Sequence, residues 1–169
     1  PWAWSGSTTT PPPATTASAN HWRSPAGATA IFGPRVIVGK LLMEMAELGM
    51  ALLVGVPREI KTNENRVAIT PPGVRELAPH GISVLLEAGA GVNSELPDAD
   101  YASAGAELVP TVAELVERAD LICKVKEPQP EEIAAYRPGQ VLFTYLHLAA
   151  YPEVADGLLA GGVTGVAYE

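Results

Sequence analysis

Side chains able to bind an anion or to transfer a proton follow three apolar runs of the chain. Arg66 lies in the polar loop after the first run, Lys126 ends the second and His147 follows the third. A guanidinium binds a carboxylate through two parallel hydrogen bonds, and a lysine adds a compact second charge. Histidine titrates near neutral pH and can donate or accept a proton. These residue types predict a site for a small anionic ligand without identifying that ligand.

Each of these residues also has a purely structural explanation. The basic set, which includes Lys124, can form salt bridges with the nearby Glu64 and Glu127 or remain solvated at the surface. His147 is flanked by two leucines, and a histidine in such surroundings is often a hydrogen-bonded core residue. Residue pattern alone leaves both interpretations open.

Apolar runs and helical stretches of similar length alternate along the second part of the chain. Strands are predicted at 52–56, 83–87, 121–125, 141–145 and 163–167, and helices at 71–80, 98–104, 111–119, 130–136 and 152–160. This alternation predicts an α/β fold with a parallel sheet built from βαβ units. Ligands of such sheets bind at the C-terminal ends of the strands, so Arg66, Lys126 and His147 are expected to share one crevice there.

Gly89-Ala90-Gly91 is a weak match to a dinucleotide-binding loop. The G-x-G-x-x-G fingerprint requires a third glycine, and that position is Ser94 in this chain. No helix is predicted to begin at residue 91. A glycine turn with positive φ is therefore the favoured interpretation.

Composition excludes several classes of protein and of site. The formal net charge is −8, and residues 50–169 contain 17 acidic and 8 basic side chains, which argues against a nucleic-acid partner. Cys123 is the only cysteine, so an intrachain disulfide and a Cys-based zinc site are excluded, and its apolar neighbours favour a buried structural thiol. The sequence shows neither a membrane-length apolar segment nor a signal peptide, and a cytoplasmic protein is expected.

Residues 1–49 differ in composition from the rest of the chain. Residues 1–30 are rich in Pro, Thr, Ser, Ala and Gly and show no apolar period, which is typical of disorder. The chain begins with Pro1, whereas Met50 directly precedes the first predicted strand. Residues 1–49 are therefore expected to be a disordered or spurious extension, and residues 50–169 the folded domain. A genuine flexible arm is the alternative.

Six segments closely resemble those of the alanine dehydrogenase family, in the same order and with similar gaps. They are VGVPREIKTNENRVAITPPGV, EAGAG, DADYASAGAELV, DLICKVKEPQ, GQVLFTYLHLAA and GVTGVAYE. The resemblance covers residues 53–169 and implies part of a flavodoxin-like or Rossmann-like substrate-binding domain. The related nucleotide-binding subunit of proton-translocating transhydrogenase shares the first segment. It typically lacks the equivalents of Lys126 and His147, both of which are present here.

The resemblance implies a role for each candidate residue. Arg66 would hold the carboxylate of pyruvate or alanine, and Lys126 would hydrogen-bond the substrate's carboxylate and carbonyl. His147 would be the general acid/base at the carbonyl oxygen. The resemblance also implies NAD as cofactor, with the preference over NADP left open, and a homo-oligomer, hexameric in the family.

The family's NAD-binding domain and a further catalytic aspartate would follow Glu169. The chain is therefore expected to be an incomplete substrate domain that is inactive alone. Two alternatives remain: the N-terminal domain of a transhydrogenase alpha subunit, and a non-catalytic α/β fragment.

Overall fold

Six parallel strands alternate with helices in the computed structural model, which describes residues 52–168. The strands are β1 Leu52–Val56, β2 Ile82–Glu87, β3 Glu107–Val109, β4 Leu121–Cys123, β5 Val141–Thr144 and β6 Thr164–Ala167. The helices are α1 Pro71–Leu77, α2 Asp98–Ala104, α3 Val112–Arg118, α4 Pro130–Ala135 and α5 Pro152–Gly161. Short 3-10 turns lie at Ala78–His80 and Val92–Ser94.

The sheet has the strand order β3-β2-β1-β4-β5-β6, and every neighbouring pair is parallel. The first described strand, β1, lies in the middle of the sheet, β2 and β3 follow on one side of it, and β4, β5 and β6 lie on the other side. The predicted Rossmann-like α/β fold is confirmed. The strand order reverses between β1 and β4, where open α/β sheets form a crevice at the C-terminal ends of the strands.

Alternate strand residues are buried in two separate cores, one on each face of the sheet. Successive side chains of a strand point to opposite faces, and both faces here are covered by helices. This explains the nearly continuous apolar runs in the sequence. The first core combines strand residues with two helix residues: Leu52, Val54, Val84, Leu86 and Leu121 with Val74 and Tyr101. The second core is built in the same way, from Leu85, Ile122 and Leu142 with Leu115 and Leu158.

Several predicted boundaries differ from the structure. Strand β3 was not predicted, because it has three residues and lies at the sheet edge with Leu108 37% exposed. Strand β4 ends at Cys123 rather than at residue 125, so Lys124 begins the following loop. The predictions for residues 1–49 lie outside the described residues. Thr111 is the N-cap of helix α3, and its Oγ1 accepts from the Glu114 N–H at 3.3 Å.

Gly55 is required by the close packing of α3 on the middle of β1. A Cβ atom at this position would lie 2.5 Å from Leu115 Cδ2 and 2.8 Å from Ala119 Cβ. We expect Gly55→Val to lower the free energy of unfolding by about 1–3 kcal/mol, because the helix must shift to accept the added atoms. Urea unfolding of the full chain measures this. Ser83→Val, at an exposed position of β2, is the matched control, and equal losses in the two variants would contradict the packing explanation.

Candidate functional site

Three buried carboxylates hold the loop after β1 against the C-terminal ends of neighbouring strands. Glu87, at the end of β2, accepts from Arg58 Nε at 3.0 Å and from the Arg58 backbone N–H at 2.9 Å. Glu59 accepts from Lys124 Nζ at 3.1 Å and from the Val125 N–H at 2.7 Å. Glu127 pairs with Lys61. The loop that carries Arg66 is therefore fixed over the crevice by contacts on both sides of β1.

Arg66 is positioned by a side-on contact with Glu64. Its Nε and Nη2 lie 2.8 and 2.7 Å from the two oxygens of Glu64, and its backbone N–H also donates to Glu64 at 2.9 Å. Glu64 is 9% exposed, whereas the Arg66 side chain is 61% exposed. The hydrogen bonds from Arg66 are the main cause that lowers the pKa of Glu64 to about 2, and the charge of Lys126 adds to this effect. Glu64 is thus an anchor that leaves one side of the guanidinium toward solvent.

We expect Glu64→Gln to reduce stability at pH 7 by about 1 kcal/mol, a small value because the exposed Arg66 is screened by solvent. The pKa of Glu64 is lower in the folded protein than its ordinary value of 4.5. The ionised carboxylate therefore stabilises the fold above pH 4.5, and this contribution is lost as the pH falls from 4.5 toward about 2. The difference in Tm between wild type and variant should therefore shrink over that range. The exposed Glu76→Gln is the control, and a Tm difference for Glu64→Gln that does not change with pH would contradict this assignment.

The two lysines after β4 have different environments. Lys124 is 1% exposed and lies between two buried carboxylates, 3.1 Å from Glu59 and 2.7 Å from Glu132. The salt-bridge interpretation therefore applies to Lys124, although its partners are Glu59 in the loop after β1 and Glu132 in α4 and not the Glu64 and Glu127 considered from the sequence. Lys126 is half-buried and close enough to Glu64 to lower the pKa of that carboxyl. Of the two, only Lys126 acts on the pKa of Glu64, the partner of Arg66.

His147 is held at the end of β5 in an unusual backbone conformation. Its φ is 49°, in the left-handed region that non-glycine residues seldom adopt. Its Nδ1 lies 2.9 Å from Glu127 Oε2, and its ring stacks on Tyr145 with centroids 5.7 Å apart. The side chain is 35% exposed. His147 is therefore partly exposed, with its ring packed on Tyr145 and hydrogen-bonded to Glu127.

Shared neighbours connect the three predicted residues along one edge of the sheet. Glu64 interacts with both Arg66 and Lys126, while Tyr145 stacks on His147 and contributes to the raised pKa of Arg66. Tyr145 also packs edge-on against Tyr168, with ring centroids 4.3 Å apart. This arrangement combines two cations, a titratable ring and an aromatic wall, and it can bind a small carboxylate and exchange a proton with it.

An open cleft of about 550 Å³ continues from Arg66 toward the end of β2. Its lining includes Arg58, Asn65, Arg66, Gly89 and Asn93. Lys126 and His147 are outside this lining. The cleft therefore adjoins the Arg66 side of this edge of the sheet and does not include His147.

Other predicted features have structural explanations. Gly89 has a φ of 81°, as expected for a glycine turn, and a Cβ at Gly91 would lie 2.5 Å from the Leu96 carbonyl oxygen. Close packing against the Leu96 backbone therefore explains the glycine at position 91. Cys123 is buried, as expected, and burial raises the pKa of its thiol to about 12.

Residues 52–168 contain neither a cluster of potential metal ligands nor a membrane-spanning helix. No group of three or more His, Cys, Asp or Glu side chains in this range could hold a metal ion. No helix in the same range is long and apolar enough to cross a membrane.

Sequence reasoning underestimated Glu127 and Tyr145. Glu127 was considered only as a surface partner for the basic set, yet it is 2% exposed and binds His147 and Lys61. The sequence indicated its burial only through its position next to Pro128, in a loop after a buried strand. Tyr145 was counted as the last residue of a strand, and its stacking on His147 depends on the turn that follows.

A family model described as "Alanine dehydrogenase/PNT, N-terminal domain" matches residues 55–169. Alanine dehydrogenases of Methanococcus maripaludis and Mycolicibacterium smegmatis are 50% and 53% identical over 118 residues. Each match covers 70% of this chain and 32% of the relative. This chain therefore spans about a third of the length of these relatives.

Two solved structures share the fold described above. An L-alanine dehydrogenase matches with a TM-score of 0.67 and 43% identity, over 70% of this chain and 32% of the other. The transhydrogenase from Sinorhizobium meliloti matches with a TM-score of 0.64 and 35% identity, over 68% of this chain and 34% of the other.

Proposed function

Because the chain belongs to the alanine dehydrogenase/PNT N-terminal domain family, we propose that it is the substrate-binding part of an NAD-dependent L-alanine dehydrogenase. The reaction interconverts L-alanine, NAD and water with pyruvate, ammonia and NADH. The observation that carries the proposal is the grouping of Arg66, Lys126 and His147 around Glu64 and Tyr145 at one sheet edge. The high identity to the two alanine dehydrogenases supports it.

Arg66 binds the substrate carboxylate in this proposal. Glu64 occupies its Nε and Nη2, which fixes the plane of the guanidinium and leaves the remaining N–H groups for the ligand. Lys126, in the loop after the neighbouring strand β4, adds a second cation and hydrogen-bonds the carboxylate and the carbonyl oxygen. Two charges on one small anion fix both its position and its orientation, which is the main requirement for a productive geometry.

His147 transfers the proton at the substrate's carbonyl oxygen. Addition of ammonia to pyruvate gives a carbinolamine, and its hydroxyl must be protonated before water can leave. A histidine that can give and take a proton near neutral pH can serve both the addition of ammonia and the departure of water. The restraints on the ring from Glu127 and Tyr145 keep its orientation constant through the cycle.

NAD supplies the hydride acceptor in the proposed reaction. The described residues lack the full dinucleotide fingerprint, because Ser94 stands where the third glycine would be. We assign NAD binding to residues outside 52–168, and only substrate binding and proton transfer to the residues described here.

A transhydrogenase-type nucleotide-binding domain is the second candidate, and the match to the Sinorhizobium meliloti structure favours it. Lys126 and His147 distinguish the two candidates. A domain that only binds nucleotide has no need for a second cation and a restrained acid/base at the position of a keto acid.

A chimera tests the proposal. The matching segment of the Bacillus subtilis alanine dehydrogenase, which is 52% identical to this chain over 118 residues, is replaced by the corresponding residues of this chain. We expect the chimera to reduce NAD in the presence of L-alanine. The unmodified enzyme is the control for assembly and expression. A chimera that assembles like the parent and does not oxidise alanine would refute the proposal.

A further inference from the structure

Glu127 is a buried carboxylate with two different cationic or potentially cationic partners. One oxygen, Oε1, pairs with Lys61 Nζ, and the other, Oε2, lies 2.9 Å from His147 Nδ1. The carboxylate is 2% exposed, so water does not compete for these contacts. The lysine comes from the loop after β1 and the histidine from the end of β5, so Glu127 connects two segments that are distant in sequence.

Both contacts require Glu127 to be an acceptor. An ammonium group has three donors and no acceptor, so Oε1 must accept from Lys61. An ionised carboxylate has no proton to donate, so Oε2 must accept from the imidazole. His147 therefore carries a proton on Nδ1, and in the neutral ring the lone pair is on Nε2.

The backbone of the same segment supports a fixed ring. The left-handed φ of 49° at His147 is maintained by a tight turn in which its carbonyl accepts from the N–H groups of Ala150 and Tyr151 at 2.8 and 3.1 Å. Lys61 lies over the ring of Tyr151, 4.9 Å from its centroid. The lysine thus contacts both the turn and Glu127. Strained conformations of this kind persist where the surroundings determine them strongly, and they are concentrated at functional sites.

We propose that Glu127, oriented by Lys61, is a positioning residue that holds His147 in the Nδ1–H tautomer so that Nε2 exchanges the proton with the substrate. This inference rests on the proposed function of His147 as the acid/base. Lys61 orients the carboxylate in this inference. By occupying Oε1, it determines which atom of residue 127 faces the imidazole.

Glu127→Gln gives a specific test, because the amide is nearly isosteric with the carboxylate but has one acceptor oxygen. Lys61 requires that oxygen, so the NH2 group turns toward His147 Nδ1, which must then accept. The proton moves to Nε2. In the double variant Lys61→Met/Glu127→Gln the amide can rotate, its oxygen can face Nδ1 again, and the Nδ1–H form returns. A purely structural role for Glu127 predicts no such reversal.

The tautomer is measured by 15N NMR of the histidine rings in the full chain, above the pH at which they are protonated. The chain has three histidines, and loss of one set of signals in His147→Asn identifies the residue. We expect the Nδ1–H form in wild type, the Nε2–H form in Glu127→Gln and recovery of Nδ1–H in the double variant. Glu132→Gln is the matched control, since it removes another buried carboxylate that pairs with Lys124. It should leave the His147 tautomer unchanged.

Steady-state kinetics of the same substitutions in the Bacillus subtilis chimera gives the second measurement. We expect Glu127→Gln to lower kcat for pyruvate amination about 10²–10⁴-fold, with little change in the KM for pyruvate, and the double variant to recover part of the loss. An unchanged tautomer in Glu127→Gln would overturn the inference while leaving the proposed function intact. A switched tautomer with unchanged kcat would overturn it by showing that His147 is not the acid/base. If Glu127→Gln does not fold, Glu127→Asp replaces it in the test. A folded Glu127→Asp variant in which His147 is in the Nε2–H form would also overturn the inference, because the carboxylate would then not hold the Nδ1–H form.

Discussion

Replacing His147 with asparagine in the chimera lowers kcat for alanine oxidation and for pyruvate amination by about 10²–10⁴-fold, the contribution of one positioned acid/base. Asparagine is the informative choice because it tolerates the left-handed φ of 49° better than alanine does. The turn that links His147 to Ala150 and Tyr151 is then preserved. Steady-state kinetics in both directions measures the effect, and the KM for pyruvate should change much less than kcat.

His80→Asn is the control for this substitution, because His80 is exposed on the 3-10 turn after α1 and far in sequence from the site. It should leave kcat at the value of the chimera. If both histidine variants retain full turnover, His147 is a structural residue whose contact with Glu127 serves only to fix the turn.

Replacing Arg66 with lysine raises the KM for pyruvate by about 10–100-fold, since one charge-assisted hydrogen bond is worth roughly 1.5–3 kcal/mol. A lysine keeps the positive charge but cannot bind Glu64 with two N–H groups and the substrate with the others. Glu64, which is 9% exposed, keeps a cation nearby, so the variant should fold. Steady-state kinetics measures the KM, and isothermal titration of pyruvate measures the affinity directly.

Arg58→Lys is a close match for this test. Arg58 is in the same loop, is 57% exposed against 61% for Arg66, and also pairs with a buried glutamate. It differs in facing Glu87 at the end of β2, away from Lys126 and His147. Equal increases in KM for the two variants would show that the loop as a whole, and not Arg66, governs pyruvate binding.

The sheet and its helices could be predicted because their signals are local. The continuous apolar residues of β1, the proline at the start of α1 and the Thr111 cap of α3 are all contained in short segments. Strand β3 has no such signal. Its three residues are held only by pairing with β2, and two of them are exposed.

The site could be predicted in part, because the ends of parallel strands meet at one edge of the sheet. Which of the two lysines after β4 remains available could not be predicted. Lys124 is neutralised by Glu59, which is 65 residues away along the chain. The position of Glu127 between Lys61 and His147 likewise depends on partners 66 and 20 residues away. Residue types indicate possible chemistry, whereas contacts between distant segments determine which residues are free to perform it.

A crystal structure of the chimera with pyruvate tests the account most directly. The account predicts the pyruvate carboxylate within about 2.7–3.2 Å of the Arg66 guanidinium and the Lys126 ammonium, with His147 Nε2 in hydrogen-bond range of the keto oxygen. Pyruvate bound in the adjoining cleft beside Asn65 and Asn93, or a His147 ring turned away from the keto oxygen, would contradict the assignment of these three residues to one keto-acid site.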